Sequence, residues 1–113
     1  MENISKINIL GTDYTIKHQR DTENEKLKAS SGICELYTKE IILCDFDIDV
    51  NTCDNIDKYK DKVLRHEVIH AFFQESGLDI SSDYARNEEL VDWIAIQFPK
   101  IYRAFKELGC WND

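Results

Sequence analysis

The chain has 113 residues, 42% hydrophobic and 32% charged, a globular composition that excludes a disordered or low-complexity chain and predicts one domain over residues 1–113. Its formal net charge of −8 argues against a general nucleic-acid binder, because meeting phosphates takes a basic surface. The same charge fits simple solubility, or an acidic decoy that mimics nucleic acid.

The N-terminus, Met1-Glu2-Asn3-Ile4-Ser5-Lys6, has neither the apolar stretch nor the cleavage site of a secretory signal. No apolar run reaches the roughly 18 residues that cross a bilayer. The expectation is a cytoplasmic protein without membrane contact, in which Cys34, Cys44, Cys53 and Cys110 are reduced thiols. They show no CxxC spacing, which argues against a cysteine-rich metal site.

Ile7-Asn8-Ile9-Leu10 and Tyr14-Thr15-Ile16 flank Gly11-Thr12-Asp13 and predict a hairpin. His18 to Ser31 is polar, with Leu27 its only large apolar side chain, and reads as a loop or a weak helix. Gly32 to Tyr37 alternates with period two, Thr38-Lys39-Glu40 makes a polar tip, and Ile41-Ile42-Leu43-Cys44 follows as an apolar run. Together they predict a second hairpin. Asp45 to Asp57 carries five aspartates and should be mostly surface. It is not an EF-hand, since Val50 and Ile56 stand where that loop needs a glycine and a closing glutamate. A helix is predicted from near Asp57 to Gly77, with Val63, His70 and Phe73 at helical spacing. Ser81-Ser82-Asp83 offers caps for a second helix through Glu88 to Phe98. Pro99 then kinks that helix or starts a third segment, Lys100 to Leu108, which Gly109 ends.

Inside the first of these helices His66-Glu67-Val68-Ile69-His70 spells HExxH. Histidines four residues apart lie on one helical face, about 6 Å apart at the backbone, which suits two imidazoles on one zinc ion. The glutamate beside the first can take a proton from a water at the metal. His66 and His70 are thus candidate zinc ligands, and Glu67 the candidate general base. A catalytic zinc site takes three protein ligands and keeps an open position. A metzincin would have a histidine about six residues past His70, where Ser76 stands. The third ligand is therefore expected from a carboxylate on the following helix, within Asn87-Glu88-Glu89-Leu90-Val91-Asp92.

That stretch is similar to the NExxxD element of gluzincin metallopeptidases, in which the glutamate binds zinc and the aspartate orients the first histidine. Glu88 to Ala95 also resembles the ExxANxFA segment of the ImmA/IrrE family, small metallopeptidases common in bacteria and their mobile elements, including phage. Val91 takes the alanine position of that pattern, Asp92 the asparagine and Ile94 the aromatic. Gly32 to Leu43 looks like the family's hairpin ahead of the zinc helix, so the resemblance runs from about Gly32 to Gln97. It implies Glu88 as the third ligand and Asp92 as the partner of a ligating histidine's ring N–H. Geometry agrees: Asp92 lies one turn beyond Glu88 on the same face, whereas Glu89 points about 100° away.

The expectation is an α+β minimal zincin: a small antiparallel sheet packed on the HExxH helix and a following ligand-bearing helix. Its function would be zinc-dependent hydrolysis of a peptide bond. The resemblance implies a specific intracellular protein, such as a repressor, as substrate. A non-catalytic zinc-binding interaction module on the same scaffold is the alternative, with the acidic decoy behind it. Tyr84 and His18 are candidates to steady the oxyanion. A substrate held extended would pair with a strand, and the resemblance puts that strand within Glu35 to Cys44. The His18–Ser31 segment covering this hairpin is the competing arrangement.

Overall fold

The computed structural model describes residues 5–45 and 56–112. Most of the aspartate-rich stretch, with Cys53, lies outside them. The element order is β1 (Ser5–Ile9), β2 (Thr12–Gln19), β3 (Gly32–Glu35), β4 (Glu40–Cys44), α1 (Ile56–Glu75), α2 (Leu78–Ser81) and α3 (Glu88–Glu107). Single 3-10 turns precede β3, at Glu25–Lys28, and α3, at Asp83–Arg86. No described helix is long and apolar enough to cross a membrane.

Both expected hairpins form. In the first, Leu10 and Gly11 adopt φ values of 51° and 96° and make the two-residue turn whose handedness suits twisted strands. In the second, β3 pairs antiparallel with β4. The sheet order is β1-β2-β4-β3, and β2 runs parallel to β4, so the sheet is mixed rather than purely antiparallel. The cause is the 20–31 connection, long enough to carry β3 to the outer edge and leave the inner place to β4. The apolar run of β4 explains why it takes that place. Ile41 and Leu43 face α1, packing with Ile9, Tyr14, Val63 and Ala71, while Ile42 and Cys44 face the other way against Leu27. A strand buried on both faces reads as a continuous apolar run. The 3-10 turn that carries Leu27 thus covers the face opposite α1, while β3 stands at the edge of the sheet.

α1 begins and ends close to expectation. α3 differs: its cap is Asn87, whose side chain accepts from the Leu90 N–H at 2.8 Å, and Ser81 to Asp83 belong to the preceding turns. α3 also runs through Pro99 without a break. Proline has no N–H for the carbonyl four residues back, which is that of Ala95. Arg65 of α1 supplies the missing donor, its Nε reaching the Ala95 oxygen at 2.7 Å. A charged side chain from the neighbouring helix thereby keeps α3 intact.

Candidate metal centre

α1 turns Val63, Glu67 and Ala71 towards the sheet, one per turn, and all three are buried. Glu67 is the sole buried charged side chain among the described residues. It fits because Gly32 stands above it. A Cβ on Gly32 would come within 2.8 Å of Val63 Cγ1, 3.1 Å of Glu67 Cγ and 3.2 Å of Glu67 Oε2. The glycine that starts β3 therefore lets strand and helix approach closely enough to wall in the carboxylate.

His66, just before Glu67, and His70, one turn after it, aim their Nε2 atoms at a single oxygen, Glu88 Oε1, at 2.9 and 3.0 Å. Their rings meet edge to face with centroids 4.9 Å apart. Glu88 sits in the first turn of α3, where Asn87 caps the helix and fixes the entry of the chain. The three ligand atoms lie within 4.8 Å of one another and could hold a metal ion. Three ligands at about 2.0–2.2 Å from one ion stand roughly 3.3 Å apart, so the two contacts between the histidines and Glu88 need to open by a few tenths of an ångström to admit zinc. Two imidazoles and one carboxylate are also the donor chemistry of catalytic zinc sites.

Asp92, one turn along α3, has Oδ1 3.0 Å from His66 Nδ1. That oxygen also accepts from Lys62 Nζ at 2.9 Å. The two bonds fix which face of the His66 ring looks at Glu88. Glu89 is exposed and stands outside the cluster.

The electrostatics divide the carboxylates. Burial is the main influence on Glu67; it outweighs the neighbouring imidazoles and raises the pKa above the usual carboxylate value. Burial also works against ionised Glu88, but hydrogen bonds from His70 and His66 win and leave its pKa lowered. Asp92 follows the same pattern, with burial outweighed by Lys62 and His66. No donor among the described residues reaches the Glu67 carboxylate, which faces a cleft of about 410 Å³. Cys34, Gln74, His70 and Glu88 line it, together with Lys26 and Ser30. Cys34 is no nucleophile here, since burial and then the charge of Glu67 push its thiol up to about 12.

The open strand along this cleft is β3, not a strand within Glu35 to Cys44, because β4 is interior. Cys44 N–H donates to Ser31 C=O at 2.9 Å. In that register the backbone groups of Gly32 and Cys34 point away from β4. Ser30 Oγ takes up one of them, donating to the Gly32 carbonyl at 2.8 Å.

His66, Glu67, His70, Glu88 and Asp92 are thus brought together as the sequence suggests. Tyr84 and His18 are not: Tyr84 is exposed on the turn before α3, and His18 lies by Asp45, 3.7 Å away. Neither lines the cleft. Gly32, the residue that admits Glu67, was not picked out from the sequence, though a glycine opening an alternating strand is a signal of close approach. Lys62 was missed as well, although its position one turn before His66 on the same helical face was legible. No family model, curated protein or solved structure matches the chain.

Proposed function

We propose that this chain is a zinc-dependent metallopeptidase in which His66, His70 and Glu88 hold the metal and Glu67 is the general base. The observation that carries the reading is the pairing of two opposites. A converging His, His, Glu cluster stands beside a walled-in carboxylate that has no hydrogen-bond donor among the described residues and is turned to an open cleft. Zinc held by these three residues would supply Lewis-acid polarisation of the scissile carbonyl and a more acidic water. Glu67 takes the proton of the attacking water and hands it to the leaving amine. Its raised pKa suits that exchange better than that of an exposed carboxylate would. Asp92 accepts from His66 Nδ1–H and holds the ring, with Lys62 steadying Asp92. The outward backbone groups of Gly32 and Cys34 on β3 position an extended substrate beside Glu67.

The resemblance to the ImmA/IrrE family, on HExxH and the Glu88-to-Ala95 stretch, supports a specific intracellular protein such as a repressor as the substrate class. Protein prepared without a histidine tag or chelator should carry one zinc per chain and cleave members of a peptide library. No transition metal, together with no thermal shift on adding zinc, would overturn the metal assignment. Zinc retained with no turnover on any peptide would make the chain a binding module on the same scaffold.

A further inference from the structure

The cleft beside Glu67 holds a polar group that the metal centre does not use. Gln74 stands on α1 one turn beyond His70 and lines the same cleft of about 410 Å³. Its side-chain oxygen is turned inward. The Cys34 thiol donates to Gln74 Oε1 at 3.6 Å, and the Tyr14 hydroxyl stands 3.4 Å from the same atom. An amide whose oxygen is engaged on one side turns its NH2 group, a pair of donors, away from those partners. That nitrogen has no acceptor among the described residues. Nor is it closed off, since Asp79 Oδ1 is the sole buried side-chain oxygen or nitrogen without a partner among them. The two N–H bonds of Gln74 are therefore open to the cleft.

The pleat of β3 determines what meets them. Gly32 and Cys34 face α1, the first against Glu67 and the second against Gln74, while Ile33 between them faces the other way, with Leu27 and Ile42. A chain paired with the outer edge of β3 repeats that alternation, because directly opposed residues of a sheet point to the same face. A substrate residue opposite Gly32 lies over Glu67. The residue opposite Cys34, two positions along the substrate, turns its side chain to Gln74. Donors select an acceptor, so that side chain carries an oxygen. Charge then selects among acceptors. Beyond burial, the influences that raise the Cys34 thiol are the charges of Glu67, Glu35 and Glu75, which Lys39 offsets only in part. A further carboxylate is disfavoured in such surroundings. A carboxamide supplies the oxygen without the charge.

We propose that Gln74 is a specificity-determining residue, whose amide NH2 donates to the side-chain carbonyl of an asparagine or glutamine two positions from the substrate residue over Glu67. This rests on the proposed peptide groove along β3, and not on turnover. Because the donors are open to water rather than sealed, the bond they make is worth about three- to tenfold in affinity.

Equilibrium binding to the Glu67→Gln chain in zinc-containing buffer separates recognition from hydrolysis. The probes are short end-blocked peptides in which each position in turn is Gln, Asn, Glu, Leu or Lys. At one position glutamine or asparagine should bind about three- to tenfold tighter than leucine. Adding Gln74→Leu should abolish that preference. Gln74→Glu keeps an oxygen for the Cys34 thiol but removes the donors, and should move the preference at the same position to lysine. A merely structural role for Gln74 would not produce that reversal. A carboxamide preference that survives both changes, no such preference at any position, or glutamate bound more tightly than glutamine would each overturn the proposal. So would a failure of all the peptides to bind, because the groove itself would then be absent. Cleavage by the wild type tells the two readings apart. Peptides selected through Gln74 but never hydrolysed would overturn the peptidase and leave this proposal standing; peptides hydrolysed with no preference at that position would do the reverse.

Discussion

Two glutamates eight residues apart on α1 have opposite environments. Glu75, at the end of the helix, accepts from Tyr14 at 2.6 Å, Thr12 at 2.7 Å and Lys39 at 2.8 Å. Those bonds, Lys39 first and then Tyr14 and Thr12, hold its pKa down to about 2. They pin the helix to the first hairpin and to the tip of the second. Glu67, in the middle of the helix, is more deeply enclosed but accepts from no described donor, and its pKa moves the other way. A carboxylate with donors on both oxygens contributes to the fold. One that is largely desolvated, has no protein donor and opens only to a cleft weakens the fold and is free for chemistry. The same contrast predicts which substitutions harm activity and which harm stability.

The largest effect should come from Glu67→Gln. Hydrolysis of a substrate should fall about 10²–10⁴-fold while zinc content stays and the melting temperature holds or rises. A Glu67→Gln chain that cleaves at the wild-type rate would put Glu67 in the same class as Glu75. Next is Gly32→Ala, which sets a methyl group against Val63 and Glu67. Overpacking of this kind costs about 1–3 kcal/mol. It should also displace the carboxylate, so denaturant midpoint and cleavage rate should fall together. Unchanged cleavage in a destabilised Gly32→Ala chain would show that the wall around Glu67 has no part in the reaction.

At the other glutamate the effect should be on stability alone, and it should depend on pH. Glu75 titrates at about 2 when folded against an ordinary value of 4.5, so it binds its proton more readily in the unfolded chain. Its contribution is complete above pH 4.5 and disappears as the pH falls towards 2. Glu75→Gln should lower the melting temperature at pH 7 and flatten its decline between those two values. Tyr14→Phe removes one of the three donors, a buried hydroxyl, and should cost about 1–3 kcal/mol. Neither variant should change cleavage or zinc content. A loss of zinc in either would show that the two ends of α1 are coupled and that the contrast fails.

The site was more legible in the sequence than the scaffold around it. HExxH and the Glu88–Asp92 spacing depend on one helical turn each, and a helix keeps i, i+4 residues on one face wherever it packs. The resemblance to NExxxD selected Glu88 over Glu89, and register within a single helix agreed with it. The strand order was not legible, because two local hairpins say nothing about which of their strands meet. Only the double-sided apolar character of Ile41 to Cys44 hinted that β4 is interior. The edge beside the cleft was misplaced for that reason. The α3 cap was missed because Ser81, Ser82 and Asp83 offer the same chemistry as Asn87, and the turn before the helix determines which of them is used. Glu75 carries no local signal, since its three partners come from β2 and from the tip of the second hairpin.

An effect on stability with the least effect on the site should come from Arg65, which is next to His66 but, like Glu75, is engaged in a structural hydrogen bond. Its Nε serves the Ala95 carbonyl that Pro99 leaves without a donor. Arg65→Met keeps most of the apolar stem and deletes the donor. A carbonyl on a fully buried residue is then unsatisfied, at a cost of about 1–3 kcal/mol. Cleavage should change little where the chain stays folded, despite the neighbouring ligand. Pro99→Ala should have the compensating effect, because alanine returns the N–H that Ala95 expects and makes Arg65 dispensable. The double variant should be destabilised less than the two single changes predict together, by a coupling of about 0.5–3 kcal/mol read from denaturant midpoints. Additive effects would show that the Arg65 bond does not stand in for the one that proline removes.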